Sequence, residues 1–126
     1  MKLQDTLKSI ICEIASIEDI TNYIKNKKKC IIYYDGDEPG GRGLRLLEPV
    51  ALGYSKRNNL VLRAWELEGA SHRYYLGKRP IPGWRFFRLD KILAISPTGE
   101  EFMTAEPNFN PNGDKSMKRV IINSKF

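Results

Sequence analysis

What most constrains this chain is a change of rhythm at Cys30: from there on, apolar and β-branched residues come in short runs, each closed by Gly, Pro, Asn or Asp. Runs of this length bounded by turn residues read as strands rather than helices. They fall at 30–34, 44–48, 50–54, 60–66, 84–89, 92–96 and 119–122. Short strands at this spacing predict a small β-barrel. Ahead of them the period is helical. Leu3, Leu7, Ile10, Ile11 and Ile14 share one spacing, and Ile17, Ile20, Tyr23 and Ile24 continue it after Ser16, whose hydroxyl with Asp19 resembles a helix start. Two short helices, over 3–14 and 17–28, are expected. The fold class is therefore α+β, mainly β, in a single domain: N-terminal helices over 1–29 packed on a barrel over 30–126.

A chain of 126 residues with 41% apolar content buries one core and not two. Lys and Arg outnumber Asp and Glu by 21 to 15, a net charge of +6 that favours polyanionic partners. Between Arg73 and Lys91 the basic residues are Arg73, Lys78, Arg79, Arg85, Arg88 and Lys91 against the single acid Asp90, so much of the surplus is local. The other run, Lys25, Lys27, Lys28 and Lys29, reads as a solvated helix terminus, where cations complement the helix dipole. Cys12 and Cys30 have no metal-ligand spacing and make no disulfide framework, which fits a reducing cytoplasm. No signal peptide or membrane-length apolar run is present, so a soluble cytoplasmic protein is expected.

Catalytic chemistry is poorly represented. His72 is the sole histidine, and its neighbour Ser71 is badly placed to serve as a nucleophile for it. Glu66 and Glu68 share a face only if the strand runs on past Trp65. The Gly40-Gly41-Arg42-Gly43 stretch lacks the Gly-Lys-Ser/Thr and the following helix of a phosphate loop, and reads as a hairpin loop. The Asn110 to Asp114 stretch is turn chemistry, not a calcium loop. The chain is not expected to be an enzyme, nor to hold a metal or cofactor.

Binding chemistry is richer. Alternation along 60–66 places Val61, Arg63 and Trp65 on one face, and a ring beside a guanidinium suits a nucleobase and its phosphate. Equally, Trp65 could pack in a core with Arg63 covering its edge. Along 84–89, Phe87 and Leu89 point inward and Trp84, Phe86 and Arg88 outward. Arg85 falls on the opposite side from Arg88, so joint use of both requires a bulge or a frayed end.

Tyr33-Tyr34, the segment Arg45-Leu46-Leu47-Glu48-Pro49-Val50-Ala51-Leu52, the strand Leu60 to Trp65 and the segment Arg85-Phe86-Phe87-Arg88-Leu89-Asp90-Lys91-Ile92 together resemble the WYL-domain family over about residues 30 to 96. The resemblance implies an Sm-like, SH3-type barrel that senses ligands, mostly in bacterial and phage transcription regulators, with ligands that are nucleic-acid-like. It implies Arg45, Arg63, Trp65, Arg85 and Arg88 as the ligand surface, with Tyr34 as a weaker addition. Arg73, Lys78 and Arg79, with Tyr74 and Tyr75, form either a binding loop or an exposed hairpin. The Trp-Tyr-Leu triplet that names the family aligns with Leu60-Val61-Leu62, which keeps only the leucine. Residues 1–29 are too few for the winged helix-turn-helix of the family's regulators. The expectation is a free-standing regulatory or accessory module that binds single-stranded DNA, RNA or a nucleotide; the alternative is a protein-interaction module, a homodimer or partner-docking unit, without nucleic-acid binding.

Overall fold

The computed structural model describes residues 17–36, 41–69, 82–110 and 115–126. The expected helix over 3–14, His72 and the candidates Arg73, Lys78 and Arg79 lie outside the described residues. Helix α1 is described over 17–25. Strands β1 (Lys28–Asp35), β2 (Arg42–Ser55), β3 (Leu60–Gly69), β4 (Gly83–Arg88), β5 (Ile92–Glu101) and β6 (Met117–Asn123) follow, with a 3₁₀ turn, Leu89–Lys91, between β4 and β5. All pairings are antiparallel, in the order β4-β3-β2-β1-β5, with β6 added to β2. The chain is mainly β with one described helix, as the sequence pattern requires. The sheet must curl. The outer strands of a flat five-strand path lie about 19 Å apart, yet β4 and β5 are joined by a turn spanning about 6 Å.

Strand β2 merges two predicted strands. Pro49 was expected to separate 44–48 from 50–54, because proline cannot donate to a ladder. Instead the strand runs through it, and the reason is local. On one edge β2 pairs β1 up to Leu47 and β6 from Ala51, so Pro49 falls in the gap between two partners. On the other edge Pro49 faces Ala64 and Ala51 faces Arg63, which leaves Val50 as the extra residue of a bulge. The Val50 carbonyl accepts the Ser124 amide at 2.7 Å.

Helix α1 ends earlier than its predicted limit of 28. Lys27 adopts φ 53°, the left-handed conformation that stops a helix, and Lys28 already belongs to β1. The lysine run is thus divided. Lys28 and Lys29 pair across the sheet with Glu101 (2.6 Å) and Glu100 (3.5 Å) instead of ending a helix. The Ile24 carbonyl near the helix end accepts the buried Ser124 hydroxyl at 2.9 Å, which ties the C-terminal residues to α1.

Both faces of β2 are covered. On the inner face Ile20 and Ile24 of α1 pack with Ile32, Leu47, Leu52, Leu62, Ala64 and Phe87. On the outer face Val50, Ala51 and Val61 pack with Phe102 and Met117, with Trp84, Phe86 and Phe109 at the margin. Cys30 is buried, its thiol pushed up to about 12 by burial, which leaves it unreactive. No described helix is long and apolar enough to cross a membrane.

Gly53 marks the tightest approach. A Cβ there would clash with the Arg119 carbonyl oxygen and meet the Met117 sulfur at 2.8 Å. Gly53→Ala is expected to push β6 away from β2 and lower stability by about 1–3 kcal/mol; urea unfolding checks this, and an unchanged midpoint would show that β6 yields without cost.

Candidate functional site

Strand pairing decides which side chains meet. Arg63 lies opposite Phe86, Trp65 opposite Trp84 and opposite Glu48, and Val61 opposite Arg88, so these side chains share the outer face. Arg45 lies opposite the buried Ile32, and Arg85 opposite the buried Ala64, both on the inner face. The five implied ligand residues are therefore divided between opposite faces. Strand β4 pairs with β3 without a register shift, so the bulge that would bring Arg85 round to Arg88 is absent.

The inner set is buried and charged. Arg45 and Arg85 are 5% and 6% exposed, and both contact the carboxylate of Glu66, which is 0% exposed. Arg85 Nε donates to Glu66 Oε1, Arg45 Nη1 lies 3.5 Å from Glu66 Oε2, and Arg45 Nη2 donates to the Gly41 carbonyl. The Arg45 guanidinium also sits over the rings of Tyr34 (5.0 Å) and Phe87 (5.5 Å), which themselves meet edge to face. Burial pushes the Glu66 carboxyl up against the opposing pull of the two arginines, and burial lowers Arg45. Because arginine stays protonated, two guanidiniums on one carboxyl group leave at least one uncompensated positive charge whatever the state of Glu66. Among the described residues, two buried donors, Arg45 Nε and Arg85 Nη2, find no hydrogen-bond partner. Glu68 does not join the set: a bulge shifts it opposite Leu46, on the outer face.

The outer set is half-buried and partly engaged. The Arg63 guanidinium lies 3.5 Å from the centre of the Phe86 ring, a stacked cation–π contact. Trp65 meets Trp84 edge to face at 5.2 Å. Arg88 is exposed, but its guanidinium forks onto Asp90 at 2.7 and 3.1 Å. Its amide donates to the Tyr34 hydroxyl at 3.1 Å, so Tyr34 joins the two sets through opposite ends of one ring system.

The segment 102–110 crosses this outer face. Phe102 is anchored by its amide to the Lys27 carbonyl, Trp84 Nε1 donates to the Pro107 carbonyl at 2.6 Å, and Phe109 stacks on Trp84 at 6.4 Å. Phe126 closes on Phe109 edge to face at 5.0 Å. Glu106 of this strap meets Glu48, which is 4% exposed in β2. Burial first, and then the adjoining Glu106 carboxylate, push Glu48 up to about 7 against the opposing pull of Lys29. The strap covers Trp84, against which Trp65 of the predicted surface packs, a feature no local pattern in the sequence marks. Glu48 and Glu66 were likewise missed, since a lone acid in a strand carries no signal until its neighbours are known. Among the described residues no group of acids, His and Cys could hold a metal ion.

No family model matches the sequence, and no curated protein matches it. Among solved structures the chain is similar to proteasome accessory factor B/C (PafBC) of Arthrobacter aurescens, with 22% identity and a TM-score of 0.50. The similarity covers 71% of this chain but 12% of that one, so this chain corresponds to a small part of that protein. At this identity the likeness is one of fold alone.

Two outcomes follow from these charges. Glu66→Ala leaves two buried guanidiniums without their carboxylate and is expected to cost about 3–5 kcal/mol, read by urea unfolding; a loss below about 1 kcal/mol would mean that solvent reaches the arginines. Glu48 titrates higher in the folded protein than in the unfolded chain, so its stabilising effect is present in acid and is lost as pH rises from about 4.5 to about 7. Stability should therefore fall by about 2–3 kcal/mol across that window, and Glu48→Gln should flatten the profile measured by thermal unfolding.

Proposed function

We propose that this protein is a ligand-sensing regulatory or accessory module on a small Sm-like, SH3-type barrel, and that it binds single-stranded nucleic acid or a nucleotide. The observation that carries this reading is the charge imbalance at Arg45, Glu66 and Arg85, two guanidiniums with orphaned donors sharing one carboxyl group. A phosphate is the complementary ligand: it supplies the missing negative charge and several acceptors to forked donors. Tyr34 lines the same set and offers a ring beside the charge. The chain leaving β3 at Gly69, near Arg45, carries Arg73, Lys78 and Arg79 in the next ten residues. Arg63, Trp65 and Arg88 form a second, outer contact surface under the edge of the strap. The sheet's curl, with β4 and β5 joined by a single 3₁₀ turn, is what supports the barrel.

The test is fluorescence anisotropy with labelled single-stranded DNA and RNA, and with a nucleotide, at two salt concentrations. Arg85→Lys keeps the charge and removes the fork, and is expected to weaken binding about tenfold, with folding confirmed by circular dichroism. The Arg63→Ala, Arg88→Ala double variant should lose less. The reverse order would move the site to the outer face, and an absence of binding by folded wild type would overturn the reading.

A protein-docking role has one observation in its favour. Ile31, Leu44 and Leu93 are 42%, 61% and 53% exposed where β1, β2 and β5 lie side by side, with Tyr33 and Leu46 paired between them. Exposed apolar patches of this kind mark partner surfaces. Sedimentation of Leu44→Ser against wild type distinguishes a self-associating face from an inert one.

A further inference from the structure

Ion pairing sorts the cations of this protein. Lys28, Lys29, Arg42, Arg45, Arg85 and Arg88 each face a carboxylate. Lys56 and Arg57 in the β2–β3 turn, and Lys115, Lys118 and Arg119 at the start of β6, have no ion pair among the described residues. Pairing of β6 with the end of β2 brings the two groups together: Arg119 lies opposite Tyr54 and Met117 opposite Ser55, the residue before Lys56. The stretches 54–60 and 115–119 contain these five cations and no acid. In sequence they lie about sixty residues apart, and neither is remarkable alone.

The cations stand on a fixed frame. The Ser55 amide donates to the Asn59 carbonyl, the Asn58 amide to the Ser55 carbonyl, both at 2.8 Å, and the Asn59 amide to the Ser55 hydroxyl at 3.2 Å. Asn58 takes the left-handed φ of 67° that completes this turn. Lys118 Nζ donates to the Asn58 side-chain oxygen at 3.3 Å, which ties the turn to β6, and the Arg119 guanidinium lies 5.9 Å from the Tyr54 ring. A turn so held loses little freedom on binding.

We propose that the β2–β3 turn and the start of β6 form a docking surface for the sugar-phosphate backbone of a nucleic acid. Lysine, arginine, asparagine and serine are the side chains that contact phosphates, and neighbouring strands set them about 5 Å apart. The ring beside these cations, Tyr54, is half-buried with the Arg119 guanidinium near it, so the surface holds the backbone without reading bases. Five cations with no acid in either stretch also distinguish it from the core of a protein interface, which is depleted of charge. It sits at the far end of β3 from Glu66, about 20 Å away along the strand, so it acts apart from the inner arginine set and stands or falls independently of the reading given above.

The experiment compares wild type with a Lys56→Gln, Arg57→Gln, Lys118→Gln, Arg119→Gln variant, using labelled oligothymidylate across a salt series, a labelled mononucleotide, and anionic phospholipid vesicles. The expected result is weaker oligonucleotide binding and a log K against log salt slope shallower by roughly 2–3 units, with mononucleotide binding unchanged. An Arg57→Lys, Arg119→Lys variant, which keeps the charge, should retain the wild-type slope. The proposal is overturned if the glutamine variant keeps the wild-type affinity and slope, if wild type binds vesicles but no oligonucleotide, or if only Arg85→Lys alters oligonucleotide binding.

Discussion

The arrangement of this protein depends on β2, which pairs β3 along one edge and changes from β1 to β6 on the other. Proline at the change of partner is what makes one strand serve three neighbours: Pro49 has no amide to leave unpaired, and the bulge at Val50 turns the strand where the partners change. Everything that sits on the sheet takes its place from that strand. Helix α1 fills the inner face, the C-terminal residues and the strap fill the outer one, and Ser124 connects the two by bonding to both Ile24 and Val50.

The same geometry separates charge by function. Alternation along β2, β3 and β4 sends Arg45, Glu66 and Arg85 inward and Glu48, Arg63, Trp65 and Arg88 outward. Inward, two arginines share an acid in a place where desolvation makes every missing partner costly. Outward, Arg63 stacks on Phe86 and Trp65 meets Trp84 edge to face, with the strap laid against Trp84. A third set, at the β2–β3 turn, is unpaired and exposed. Among the described residues these charges thus form one buried surplus, one stacked surface and one open cluster.

Much of the fold was legible because it rests on local pattern: five of the predicted runs fall within strands β1, β2, β3 and β5, the run 84–89 follows β4 as far as Arg88 and ends one residue into the 3₁₀ turn, the last lies within β6, and Ile20 and Ile24 are buried at helical spacing. Pro49 misled, since its tolerance depends on which partners flank it, and so did the lysine run, which the left-handed turn at Lys27 divides. Parity along 84–89 correctly set Arg85 apart from Arg88. It could not reveal that Arg85 faces an acid on β3, because an inward-pointing arginine is interpretable only with its partner. The apparent concentration of charge between Arg73 and Lys91 also changes meaning: Arg85 and Arg88 are matched by Glu66 and Asp90, whereas 56–57 and 115–119 become one cluster only through β6.

The order in which such a sheet assembles follows from its connections. Strand β2 meets β1 and β3 across short loops, but Ala51 and Asn123, like Lys28 and Glu101, pair across some seventy intervening residues, and closure over spans of that length is the slower event. The β2–β6 and β1–β5 ladders are thus the late seams of the molecule. A chain whose hairpins have formed but whose seams are open would have its cations at 56–57 stand without those at 118–119. The basic cluster is in this sense a signature of a closed β2–β6 ladder, absent from any form of the chain in which that ladder is open.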